Sequence, residues 1–342
     1  MTTWMTDIIQ ATDSGATFKA RNDISKFSEQ LGLRRLPIFR YDATLESLDA
    51  LHARIDGITA GVKAGDTVYY QFPTYNGVQF EKTFMQHMHI RQVNLVAVLH
   101  DVEFLRFPST TYFDEITYLN NFDVVIVHNY RMETVLKEYG LKSNAVNLNI
   151  FDYSVNVQIP DRKKIEKKII VAGSLNKSDY LKNWSYKIPI IAYGKQPNYS
   201  ISSQVDYRGV ISPNQIVQKL PSGFGLVWDV NTNQYENSEE YAKYNNPHKV
   251  SLYIASGLPV IVKKGTAIAT MVQTYNLGII IDSLDELEEK IHQLTERQLD
   301  GIMIQVNHFK MLLTTGFFTK HAIIETEFQI AMGYPERSLF YE

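Results

Sequence analysis

The chain has 342 residues, a length that at roughly 100–200 residues per domain argues for two packed domains, each able to bury its own core. Hydrophobic residues make up 44% and charged residues 21%, the balance of a folded globular protein rather than a disordered or fibrous one. Lys plus Arg total 34 against 37 Asp plus Glu, a net −3, and cysteine is absent; nucleic acid is not an expected partner, and disulfides, thiolate nucleophiles and Cys-ligated zinc are excluded.

The amino terminus has no basic segment followed by an apolar one, and no run approaches the ~18 apolar residues of a membrane span. A cytoplasmic protein without a membrane span is therefore expected. Apolar runs at Met5–Ile9, Leu36–Phe39, Val68–Phe72, Leu95–Leu99, Val124–Val127 and Val146–Ile150 read as buried parallel strands. Between them, Asp23–Leu31 and Leu45–Val62 carry apolar residues three and four apart, the period of helices covering a sheet. A charged stretch, Asp161 to Lys168, follows Pro160 and reads as an interdomain joint. A second series follows at Ile169–Ala172, Ile188–Tyr193, Gly225–Trp228, Leu258–Val262 and Gly278–Ile281. Asp282–Gln293 reads as an acidic amphipathic helix, and Phe317–Met332 is a last patterned segment. Alternating strands and helices in two series predict two Rossmann-like α/β domains, whose ligands bind at the loops after the strands.

The stretch from Tyr244 to Val262 contains the most chemistry. Asn246 suits a helix cap, Pro247 the first helical position and Gly257 the stop, so a helix is expected between them, followed by a buried strand. Asn245, Asn246, His248 and Lys249 thus gather at a positive helix end suited to a diphosphate, although the same residues also serve as plain caps. His100-Asp101 follows a strand, where a carboxylate or imidazole can take a proton from an acceptor hydroxyl or simply cap a turn. Thr74 and Asn76 follow another strand and His128 a third, and Gly15 and Thr17 lie in the loop after the first. P-loop, dinucleotide, zincin and nucleophile-elbow motifs are absent. So is the D-x-D triplet with which metal-dependent sugar transferases hold a divalent ion, and neither a metal nor another cofactor is expected.

The block Ala255-Ser256-Gly257-Leu258-Pro259-Val260 after a polar helix start, together with Gly223–Asp229 and His100-Asp101-Val102-Glu103, resembles the glucosyltransferase 3-like family of GT-B glycosyltransferases, over almost the whole chain. The resemblance implies two facing Rossmann-like domains, an acceptor-side domain at 1–155 and a UDP-sugar domain at 156–314, with 315–342 returning to the first. It implies transfer of glucose or GlcNAc from a UDP-sugar to Ser/Thr-linked GlcNAc on a serine-rich-repeat adhesin, by a homotetramer. Polysaccharide hexosyl- or galactofuranosyl transfer, or a non-catalytic glycan-binding subunit, are its alternatives. Carried onto this chain, the donor site comprises Lys249, His248, Asn246, Asn245, Ser174, Asn176, Lys177 and Tyr207, the last either stacking on uracil or packing as an ordinary tyrosine. Asp101 is the candidate base beside His100, and Gly15, Thr17, Thr74, Asn76, Glu103 and His128 form the acceptor side.

Overall fold

The computed structural model describes residues 1–10, 16–109, 113–160, 162, 164–230 and 236–333. It falls into two compact units. One is built from the first strand, residues Thr17–Ile150 and the C-terminal helix from Gly316; the other from Phe151–Thr315.

The first unit holds six parallel strands, β1 (Thr3–Ile9), β2 (Arg34–Phe39), β3 (Thr67–Phe72), β4 (Asn94–Leu99), β5 (Val124–Val127) and β6 (Asn144–Asn147), in the order β2-β1-β3-β4-β5-β6. Every residue of β3 is buried because helices cover both faces of the sheet. On the helix Val78–Ile90, Phe80, Phe84 and Met88 recur every four residues and are fully buried. Phe84 stacks on Tyr70 at 4.5 Å between ring centres. Burying each such side chain contributes about 1.5–3 kcal/mol.

Some boundaries differ from the sequence reading. The first helix runs Ala16–Glu29, starting a turn and more before Asp23. The Leu45–Val62 pattern divides into a 3-10 turn, Ala43–Leu45, and a helix, Leu48–Ile58, because the Ser47 hydroxyl accepts the Ala50 amide and restarts the chain there. β6 ends at Asn147, so Leu148–Ile150 lies beyond it. The C-terminal helix, Phe317–Met332, packs on β5 and β6. It begins at Gly316 (φ +77°), where a Cβ would lie 2.3 Å from the Phe27 ring, and the Tyr69 hydroxyl donates to Glu327 (2.8 Å) to hold it.

The second unit holds β7 (Ile169–Ala172), β8 (Ile190–Tyr193), β9 (Val205–Tyr207), β10 (Phe224–Val227), β11 (Val260–Lys263) and β12 (Gly278–Ile281), parallel in the order β12-β11-β10-β7-β8-β9. Renumbered within the unit, this is the doubly wound order 3-2-1-4-5-6. The sequence reading had neither β9 nor the helix Glu296–Thr315, whose Leu299, Ile302, Val306, Phe309 and Leu313 form a buried stripe. The acidic segment begins as a 3-10 turn capped by Ser283 and becomes helical at Leu287–Gln293. No helix among the described residues is long and apolar enough to cross a membrane.

Candidate active site

In the second unit the strand order reverses between β7 and β10, and open parallel sheets take ligands outside the carboxyl ends at such a point. β7 runs into Gly173 and β10 into Trp228-Asp229. The helix His248–Ala255 starts there. Pro247 occupies the cap position and His248 is the first helical residue, so Asn246 lies one residue before the cap and does not fill it; its side chain is buried. Gly257 (φ +72°) ends the helix as expected of a left-handed stop.

Tyr253 fixes this helix to the sheet. Its hydroxyl accepts the Ala172 amide at 2.8 Å, and its ring lies so close to β10 that a Cβ on Gly225 would sit 2.2 Å from it. Lys249, four residues earlier, shares that face. Its Nζ contacts Asp229 Oδ1 at 2.5 Å, and a Cβ on Gly173 (φ +128°) would lie 3.1 Å from its Cε. A half-buried cation, a helix N-terminus and a bare glycine backbone therefore meet at the switch point. Amide donors plus a fixed positive charge are suited to meeting the charge of a departing diphosphate.

The remaining donor-side residues take different positions. Ser174 is exposed at the start of a 3-10 turn, and Asn176 accepts the Asn198 amide (2.9 Å). Lys177 pairs with the buried Glu236 at 2.6 Å. The Tyr207 hydroxyl donates to Gly194 O (2.9 Å). His248 packs against Tyr153, ring centres 5.2 Å apart, so it braces the helix start against the chain entering the unit. Asn245 Oδ1 is buried without a hydrogen-bond partner among the described residues.

In the first unit the order reverses between β1 and β3. After β3, Tyr75 adopts a left-handed backbone (φ +63°), and its hydroxyl lies 3.1 Å from both Asp101 Oδ2 and Glu103 Oε1, on the loop after β4. Arg106 adds a cation 3.5 Å from Asp101. Asp101 remains partly exposed, as a proton acceptor for a ligand must be.

Other acceptor-side candidates face inward. His100 is buried, its Nε2 2.7 Å from Gln71 Oε1. Burial holds the His128 imidazole down at about 4, so it is neutral at physiological pH. Thr74 donates to the buried Glu81 (2.7 Å), while Asn76 accepts the Tyr41 amide and donates to Phe39 O (both 3.1 Å). These two shape the loop from beneath. Gly15 lies outside the described residues, and Thr17 lies in the first turn of the helix Ala16–Glu29.

Two further groups belong to this edge. Arg21, wholly buried, donates to Gln71 O and Pro73 O and lies behind Tyr75. Glu115 accepts the amides of Glu103 and Phe104 (3.2 and 2.8 Å), and burial raises its carboxyl to about 7. Neither lies in a motif, and nothing in the local sequence marks them: Arg21 sits in the polar run Lys19-Ala20-Arg21-Asn22-Asp23, and Glu115 follows Asp114. Among the described residues no group of three His, Asp or Glu converges on a metal site.

The comparisons with known proteins agree with this architecture. Residues 2–150 match the model "Glucosyltransferase 3-like, N-terminal domain" and residues 169–326 its C-terminal counterpart. Glucosyltransferase 3 of Streptococcus gordonii is 33% identical over 315 residues, 91% of this chain and 94% of that protein. Its Streptococcus parasanguinis namesake is 28% identical, over 90% and 93% of the two chains. Among solved structures, Anabaena HepE, in complex with UDP and glucose, superposes with a TM-score of 0.58 over 95% of this chain and 99% of its own at 14% identity, a likeness of fold. The chain is thus a glycosyltransferase of GT-B fold and belongs to the Glucosyltransferase 3-like family.

Proposed function

We propose that the protein transfers glucose or GlcNAc from a UDP-sugar to a GlcNAc already linked to Ser or Thr of a serine-rich-repeat glycoprotein. The observation that carries this reading is Lys249, held against Asp229 at a helix start beside Gly173. The second unit takes the donor and the first the acceptor. The acceptor hydroxyl oxygen attacks the anomeric carbon and gives its proton to Asp101. The bond from that carbon to the diphosphate oxygen breaks, and UDP leaves with the electron pair, its charge met by Lys249 and the helix amides. With no D-x-D triplet in the sequence, this course uses no resident metal or other cofactor. The absence of cysteine adds a cytoplasmic location to the proposal, and the family resemblance adds a homotetramer.

The test is a donor screen. Purified protein in EDTA receives a GlcNAc-bearing serine-rich peptide with UDP-Glc, UDP-GlcNAc, UDP-Gal or UDP-GalNAc in turn, and product mass is recorded. A gain of one hexose or N-acetylhexosamine from UDP-Glc or UDP-GlcNAc supports the reading. No product from any donor, with or without added Mn²⁺, removes the peptide-linked acceptor. A galactose gain alone moves the assignment toward polysaccharide-type transfer.

A further inference from the structure

In the first unit the helices Leu48–Ile58 and Val78–Ile90 pack against each other and bring two pairs of residues face to face. His52 and Asp56 are four apart on one helix, and His87 and Arg91 four apart at the end of the other, so each pair shares a face. His52 Nδ1 lies 2.8 Å from His87 Nε2, and the ring centres are 5.0 Å apart, so the rings meet edge to edge. Behind them, His87 Nδ1 lies 3.0 Å from Asp56 Oδ1, and Arg91 donates to the same oxygen (2.8 Å). An ionised carboxylate only accepts, so His87 keeps its proton on Nδ1 and presents a bare lone pair from Nε2 toward His52. His87 is buried and held by this contact, whereas His52 is exposed and free to pivot.

The geometry points to a site at which His52 Nδ1 and His87 Nε2 together bind a divalent transition-metal ion of the kind imidazole favours, Zn²⁺, Ni²⁺ or Cu²⁺. Two Zn–N bonds of about 2.0–2.1 Å at a tetrahedral angle hold their nitrogens about 3.3 Å apart, and two neighbouring ligands of a square-planar ion at the same lengths about 2.9 Å. The pair at 2.8 Å reaches either spacing by a small pivot of the exposed His52 ring. On binding, the His52 proton moves from Nδ1 to Nε2, so both inner nitrogens give lone pairs to the ion and no net proton is released. Asp56 on the far nitrogen of His87 is the carboxylate–histidine arrangement that fixes a metal-ligating ring and raises its basicity. No third His, Asp or Glu among the described residues joins the two, so water fills the remaining positions and occupancy follows the free metal concentration. The site is separate from the transfer reaction. The helix Val78–Ile90 leaves the carboxyl end of β3 and returns to the start of β4, which puts His87, in its last turn, at the opposite edge of the sheet from Tyr75 and Asp101. A bound ion therefore clips the two helices together without touching the loops that carry the candidate base.

The experiment uses the full chain without a histidine tag, stripped with a chelator that is then removed, and titrated calorimetrically with Zn²⁺, Ni²⁺ and Cu²⁺ in turn. At least one ion should bind at one per chain and raise the melting temperature, and with Cu²⁺ the electron paramagnetic resonance spectrum should show two nitrogen ligands. His52→Gln, an exposed change that leaves the fold in place, should abolish both the binding and the rise in melting temperature. Asp56→Asn should weaken the ion about tenfold or more, the usual effect of losing such a carboxylate. His89→Gln should change nothing, because that ring turns away to Asn121 O (3.0 Å). Absence of binding by all three ions leaves the pair a plain hydrogen bond between helices and overturns the inference. Equal binding by the parent and His52→Gln places the ion elsewhere and overturns it too.

Discussion

Replacing Lys249 with methionine keeps the length and packing of the side chain, which is only 13% exposed, and removes its charge. At about 4 Å and an effective dielectric of about 20, one unit charge acting on another is worth about 4 kcal/mol. A phosphate group meeting Lys249 loses attraction of that order. Asp229, now in contact with a neutral side chain instead of its cation at 2.5 Å, adds repulsion toward the diphosphate. The expected loss in kcat/KM for the UDP-sugar is therefore about 10²–10³-fold, the size seen when one oxyanion-stabilising donor is removed. UDP affinity measured by calorimetry should fall with it, while thermal unfolding shows the fold intact. Adding Asp229→Asn to Lys249→Met should recover about tenfold, because neutralising the carboxylate removes the repulsion but does not restore the cation. If Lys249→Met binds UDP within threefold of the parent and transfers at a similar rate, the phosphate assignment is wrong.

Asp101→Asn should lower kcat about 10²–10⁴-fold with UDP affinity unchanged, and near-parental turnover by the folded variant would remove Asp101 as the base. Tyr253→Phe strips the Ala172 amide of its acceptor and should cost about 1–3 kcal/mol in urea unfolding, with a raised KM for the donor because Lys249 shares the helix face that Tyr253 anchors. Burial gives His128 and Glu115 opposite pH dependences. With its pKa lowered from 6.5 to about 4, His128 contributes stability that is complete above 6.5 and lost as pH falls toward 4; Glu115, raised from 4.5 to about 7, contributes stability that is complete below 4.5 and lost as pH rises through 7. Each gap is worth about 3 kcal/mol, so His128→Asn should make stability fall between pH 4.5 and 7 and Glu115→Gln should make it rise, whereas identical profiles for the two variants would contradict the assigned burial.

The layout was legible in the sequence because its elements are local. Short apolar runs separated by 3.6-period segments announce parallel sheets, and Gly257 marks a helix end through a backbone angle that one residue decides. Lys249 was legible for the same reason, since a helix start and a lysine in its first turn are neighbours in the chain. β9 was not, because three residues are too few to show a period. The pairings that give the sites their chemistry were also invisible. Lys249 meets Asp229 from 20 residues away, and Tyr75 meets Asp101 and Glu103 from 26 and 28. Strand order decides such meetings, and strand order minimises the exposed apolar area of the whole sheet rather than of any segment. The same long-range packing buried His100, His128, Thr74 and Asn76, residues whose positions after strands had suggested contact with a ligand. A residue's place after a strand follows from the local sequence; whether its side chain faces solvent or core depends on the helices that the rest of the chain lays over it.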